Sequence, residues 1–225
     1  MAYIGKTPTP APLTSSDIAA DIINNTHIGD TAISGFDALA TEPADTDEFL
    51  ISDAGTLKRI DASLVGGAGI EMADQWRLSA TVSIGNSSET TLTGWERPDD
   101  TESSLACYGQ VGTGMTESSG TFTFPSTGIY LVRFVYGGQT GVESATYGRI
   151  YMSKDGSNYD LVSSADQYMS GGFNGKATAE YLADVTNTSN DLMQFRGRVS
   201  SGTGQIQGNT DQNITSVTFI RLGDT

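Results

Sequence analysis

The chain has 225 residues, is 37% hydrophobic and only 17% charged, and carries 12 Lys+Arg against 27 Asp+Glu, a formal charge of −15. That excess of carboxylates excludes binding to a nucleic-acid backbone, which needs clustered cations, and it opposes adhesion to anionic membranes. The 27 glycines favour short strands and many turns over long helices.

One cysteine, Cys107, rules out an internal disulfide framework. No early stretch joins a basic region to an apolar one, and no apolar run is long enough to cross a membrane as a helix. The expectation is a chain made in a reducing cytoplasm, leaving the cell only as part of a released particle.

Residues 1–13 hold three of the six prolines, Pro8, Pro10 and Pro12, which a helix interior or a central strand does not accept. The segment is expected to be extended and to become ordered by docking through Tyr3 and Ile4. "TSSDIAADIINN" predicts a short helix capped by Ser15 or Ser16, with Ile18 and Ile22 four apart and Ile23 beside them. Residues 1–35 therefore read as an anchor whose apolar groups need a partner. Residues 36–70 read as a stalk. In it Phe49–Ser52 and Leu57–Ile60 form a hairpin about Asp53-Ala54-Gly55, Asp61 starts a brief helical turn, and Gly66–Gly69 is a linker.

From residue 71 the pattern is that of an all-β head. "WRLSATVSI" places Trp76, Leu78, Ala80, Val82 and Ile84 on one face. Leu105, Cys107 and Val111 mark a further strand, and Asp155-Gly156 a hairpin. In "DLMQFRGRV", Met193, Phe195 and Val199 oppose Gln194, Arg196 and Arg198. The expectation is a jelly-roll sandwich of about ten strands. One strand is unusual. Tyr130, Val132, Phe134 and Tyr136 fill one face of 129–136, yet Ile129, Leu131 and Val135 make the other face apolar too. Most antiparallel strands bury a single face, so this one requires a second covering surface.

The sequence offers no catalytic constellation. His27 is the only histidine and lies in the polar stretch "NNTHIGD". Cys107 alternates with Leu105 as a small core residue would. Asp45, Asp47 and Glu48, or Asp99, Asp100 and Glu102, offer oxygen ligands that calcium accepts, without EF-hand spacing. No other cofactor is indicated. Tyr147, Tyr151, Tyr159, Tyr168 and Phe173 crowd into 147–173, and ring faces stack well on sugar C–H surfaces. Residues 164–176, "SADQYMSGGFNGK", read as an exposed Gly-rich loop. Tyr168 and Phe173 would be its ring faces, and Asp166, Gln167 and Asn174 its hydrogen-bonding groups for a host glycan.

Two resemblances complete the reading. Phe122, Pro125, Gly128 and Tyr130 match the Phe-x-x-Pro-x-x-Gly-x-Tyr core strand of the C1q/TNF-like jelly roll, and Phe219, Leu222 and Gly223 match its closing strand. The resemblance covers about residues 75–225. It implies a homotrimer, with strand 129–136 facing the core on one side and neighbouring subunits on the other. "MAYIGKTP" and "PADTDEFLISDAGTLKRIDASL" resemble tail-fibre and other virion proteins of bacteriophages, notably marine phages. Together they imply a virion protein without enzyme activity, anchored to other particle proteins by its N-terminus. A short trimeric tail fibre binding the host surface fits first, and a capsid fibre or decoration protein second.

Overall fold

The computed structural model describes residues 43–44, 46–54, 56–65, 69–86, 88–98 and 109–225. The chain divides into two compact units, 1–67 and 68–225. The anchor residues Tyr3, Ile4, Ile18, Ile22 and Ile23, together with His27, Leu105 and Cys107, lie outside the described residues.

In the first unit, β1 (Glu48–Asp53) and β2 (Thr56–Asp61) pair as the expected hairpin. Ala54 turns the chain with a positive φ of 50°. A 3-10 turn, Ala62–Leu64, follows, but the Asp61 side chain does not cap it. Ion pairs Lys58–Asp53 and Arg59–Glu48 flank the ribbon. Phe49, Leu50 and Ile51 are exposed along the ribbon.

The second unit is a jelly-roll sandwich of two antiparallel sheets. The first sheet runs β4 (Val82–Gly85), β15 (Thr203–Ile206), β10 (Gly128–Thr140), β16 (Ser216–Gly223), β3 (Ala73–Leu78) and β6 (Trp95–Glu96). β13 (Asn174–Val185) lies along the other edge of β10, and β7 (Gln110–Val111) along β3. The second sheet runs β12 (Asp160–Met169), β11 (Ser144–Ser153), β14 (Leu192–Val199), β9 (Thr121–Thr123) and β8 (Thr116–Ser118), with β5 (Thr90–Thr91) on β14. The strands beyond the ten expected are mostly pieces of two or three residues at the margins.

Period-two alternation fills the space between the sheets. Tyr130, Val132, Phe134 and Tyr136 of β10 are fully buried, as are Met193, Phe195 and Val199 of β14. Phe122 sits at the centre, with ring centroids 5.5 Å from Trp76, 5.4 Å from Phe195 and 5.3 Å from Phe219. Most of these contacts are edge-on, the geometry aromatic quadrupoles prefer.

The Phe-x-x-Pro-x-x-Gly-x-Tyr motif has a local reason. Phe124 packs 4.8 Å from Tyr130, whose hydroxyl donates to the Ser126 carbonyl at 2.9 Å. Gly128 starts β10 at φ +143° against the Gly223 carbonyl, where a side chain finds no room.

The expected single strand 76–84 is broken. β3 ends at Leu78 and β4 begins at Val82, and they pair with different strands, β16 and β15. Ser79 donates to the Gly94 carbonyl through its backbone N–H, so the chain leaves the sheet there and Ala80 is exposed. The Asp155-Gly156 hairpin forms, but with a longer loop, residues 154–159. The Asp155 carboxylate accepts from the Asn158 side chain and from the backbone of Asn158 and Ser157, which holds it well below the usual carboxylate range.

Tyr136 is buried beneath Gly148, whose missing Cβ makes room for the ring, and its hydroxyl donates to the Thr146 carbonyl at 2.8 Å. Burial pushes the phenol up from 10.0 to about 12. The stability this group contributes is complete below pH 10 and is lost as pH rises from 10 towards about 12, because the unfolded phenol ionises first. Comparing denaturant midpoints of wild type and Tyr136→Phe at pH 8 and at pH 12 should show wild type alone losing an extra roughly 2 kcal/mol. Parallel losses in both proteins would contradict this placement of the ring.

Candidate interaction surfaces

With both sheets' inner faces committed to the core, contact with other molecules falls to the outer faces and the sandwich ends. On the outer face of the first sheet, cross-strand register aligns Leu182 with Leu131, Leu131 with Ile220, Ile220 with Ala73, and Ala73 with Val111. Five strands thus contribute one continuous apolar row. Leu182 is 60% exposed and Val111 50%. Ile129 on β10 and Leu222, 58% exposed, extend the patch on one side. On the other side runs a polar row, Glu180, Arg133, Thr218 and Gln75, in which Arg133 pairs with Glu180 at 3.3 Å. Ile129, Leu131 and Val135 are half-buried along this face. Among the described residues of the second unit, no further layer covers the outer side of strand 129–136.

Farther along the same face the register aligns Asn174, Gln139, Gln205 and Ser83, again across four strands. Three of these, with Thr140, Gly172 and Thr203, line a groove of about 580 Å³. A second hollow of about 610 Å³ lies between Glu71, Pro125 and Asp224. Its Arg221 is committed to Glu71 at 3.2 Å, to Asp224 and to the Thr127 carbonyl at 3.1 Å.

The expected loop 164–176 is mostly strand. β12 continues to Met169 and β13 begins at Asn174, leaving only Ser170–Phe173 as the turn. The Gly172 N–H donates to the Thr140 carbonyl, which lets pairing run almost to the tip. The candidate residues therefore separate. Asp166 and Tyr168 project from the outer face of the second sheet, Gln167 packs beside Gly175, and Asn174 lies on the outer face of the first sheet. Phe173 occupies the turn. Tyr168 is 65% exposed and Phe173 68%. A hydrogen bond from the Tyr168 hydroxyl to Glu143 pushes that phenol up. Of the other clustered aromatics, Tyr151 is buried, and Tyr147 and Tyr159 are half-buried.

Among the described residues no group of three or more His, Cys, Asp or Glu side chains is placed to hold a metal ion. Glu48 is engaged by Arg59, and Asp47 accepts from the Ala44 N–H. Asp45, Asp99, Asp100 and Glu102 lie outside the described residues. Among the described residues no helix is long and apolar enough to cross a membrane.

Sequence reading singled out Leu131 as an outward apolar residue and Val111 as part of a strand, but it did not pick out Ala73, Leu182 or Ile220 and did not join the row. It missed the amide row of Gln139, Gln205 and Ser83. Its only signal is a polar residue at an outward position of each strand.

No family model matches the chain, and no curated protein matches it in sequence. Solved structures of similar shape include Eiger TNF from S. frugiperda, at 12% identity and TM-score 0.45, covering 68% of this chain and 93% of that one. Murine APRIL at pH 8.0 gives 12% identity and TM-score 0.45, covering 67% and 98%. The PRD1 vertex protein gives 16% identity and TM-score 0.42, covering 69% and 100%. At such identities and TM-scores these likenesses assign no function.

Because Tyr168 and Phe173 are exposed, replacing both with Ala should change stability by no more than about 1 kcal/mol. Thermal unfolding of the double variant checks this. A loss of several kcal/mol would show that the rings are covered in the assembled protein.

Proposed function

We propose that the protein is a homotrimeric structural component of a bacteriophage particle, a short tail fibre whose β-sandwich head engages the host surface. The apolar row Leu182–Leu131–Ile220–Ala73–Val111 carries the oligomer reading. Exposed apolar surface continuous over five strands is costly in water and marks a contact face. Copies of this chain are the occupant that best fits it. Each copy carries a charge of −15, so copies repel one another, and a contact face between them must bring no net charge of its own. This row is uncharged, and the polar row beside it holds its Arg133 and Glu180 paired with each other.

The particle assignment is supported by the resemblance of "MAYIGKTP" and residues 43–64 to virion-protein segments. In this reading the N-terminal residues hold the protein to other virion proteins and the head faces outward. The sandwich then works as a rigid frame for binding, and its role is mechanical and adhesive, without catalysis.

Sedimentation of the full chain at micromolar concentration should give a trimer. Leu182→Glu removes apolar contact and adds three charges per trimer at a position exposed in the single chain. It should weaken association roughly tenfold or more while leaving the near-ultraviolet circular dichroism unchanged. A folded wild-type monomer would overturn the trimer. Labelled antibody seen on particles by electron microscopy should decorate the tail. Decoration of the capsid would make the protein a capsid fibre, and its absence from purified particles would remove the virion reading.

A further inference from the structure

The outer face of the second sheet differs in kind from the apolar face of the first. Along β11, Tyr147, Arg149 and Tyr151 point outward, and register sets them opposite Arg198, Arg196 and Gln194 of β14. Two arginines, Arg149 and Arg196, are thus direct cross-strand neighbours, an arrangement that is destabilising unless something offsets the repulsion. Their guanidiniums lean apart. That of Arg149 lies 4.8 Å from the Tyr147 ring centre, and that of Arg196 lies 4.1 Å from Tyr151 and 5.5 Å from Tyr159.

Among the described residues only one carboxylate pairs with any of these three cations. Glu89 pairs with Arg149, and even there Glu89 Oε2 and Arg149 Nε are buried without a hydrogen-bond partner. Arg196 donates from Nε and Nη2 to the Gln194 side-chain oxygen, at 3.2 and 2.8 Å. Arg198 donates from Nε to the Asn86 carbonyl at 3.2 Å. Neutral partners thus hold both guanidiniums in place without cancelling their charge, and among the described residues no carboxylate pairs with them. Most other arginines and lysines of the described residues are answered by carboxylates, among them Arg97 by Asp74, Lys154 by Asp191, Arg133 by Glu180 and Arg77 by Glu96. Two uncompensated, preorganised arginines on a molecule of charge −15 fit an incoming anion.

We propose that this face binds an acidic saccharide, with Arg196 and Arg198 on its carboxylates. Tyr147 and Tyr159 offer ring edges and hydroxyls around the cations, and Gln194 and Thr121 offer neutral donors and acceptors beside them. That mixture suits a ring bearing hydroxyls together with a carboxylate better than a bare anion. The proposal rests on the attachment reading above and names the ligand class and the face that takes it.

The test uses full-length protein, immobilised polygalacturonate as the acidic probe and dextran as the neutral one. Wild type should be retained on polygalacturonate at low salt, released as salt rises, and not retained on dextran. The Arg196→Gln/Arg198→Gln double variant should bind roughly tenfold more weakly or worse at an unchanged thermal midpoint. If loss of the Arg196–Tyr151 stack unfolds it, Arg198→Gln alone gives the reading, since that side chain is held by the exposed hydrogen bond to the Asn86 carbonyl and, among the described residues, stacks on no ring. Equal retention on dextran, undiminished binding by the folded variant, or no retention of wild type at low salt would each overturn the proposal. Release by inorganic phosphate at fixed ionic strength would overturn the saccharide assignment in favour of a bare anion. Sedimentation of the same samples separates the two readings. A monomer that binds polygalacturonate removes the trimer and keeps the site, whereas a trimer that does not bind removes the site alone.

Discussion

Strand β10 is hydrogen-bonded along both edges for almost its whole length, and the rest of the head is arranged around that constraint. β13 pairs with residues 128–139 on one side, while β16 and then β15 pair with 129–135 and 138–140 on the other. With its backbone groups satisfied in the sheet plane, the strand has only two directions left for side chains. The even-numbered positions send Tyr130, Val132, Phe134 and Tyr136 into the core. The odd-numbered positions send Ile129, Leu131 and Val135 outward, where Leu182 and Ile220 join Leu131 from the neighbouring strands. An apolar outer face is therefore a direct consequence of this strand's composition.

The inward set is fixed by aromatic contact across the sandwich. Phe122 and Phe195 of the second sheet meet Trp76 and Phe219 of the first, and Trp95 lies 5.7 Å from Phe122 and 5.6 Å from Phe195. At the margin Asp74 is fully buried, yet it accepts from Trp76 Nε1, from the N–H of Met115 and from two nitrogens of Arg97. Arg97 in turn lies 4.3 Å from the Trp76 ring centre. A buried carboxylate with this many donors is satisfied, so it locks the chain around 114–115 to β3 without an orphaned charge. A core held this firmly leaves the outer faces free to differ from each other.

They do differ. The first sheet turns an uncharged apolar row outward, which suits contact between like-charged copies. The second turns arginines held by tyrosine rings outward, whereas Arg97, Lys154, Arg133 and Arg77 are each paired with a carboxylate. The proposed assembly and recognition surfaces thus fall on opposite faces of the same layers, with the amide-lined groove at one end of the apolar face.

Local chemistry made much of this architecture legible in the sequence. Alternation separated Met193, Phe195 and Val199 from Gln194, Arg196 and Arg198, and the spacing of Phe122, Pro125, Gly128 and Tyr130 marked the turn into β10. Both follow from neighbours along the chain, where strand period and turn geometry act directly. The break at Ser79–Thr81 was hidden because its cause is a hydrogen bond to Gly94, and the strand ends on either side of the inter-sheet turn Ser170–Phe173 read as a loop because glycine and polar residues dominate them. The apolar row needed residues 73, 111, 131, 182 and 220 in one line, and the arginine face needed β11 beside β14. Alternation states which residues of a strand share a face. Which strands lie side by side, and in what register, is decided by backbone hydrogen bonds between distant segments, and only the tertiary structure settles that.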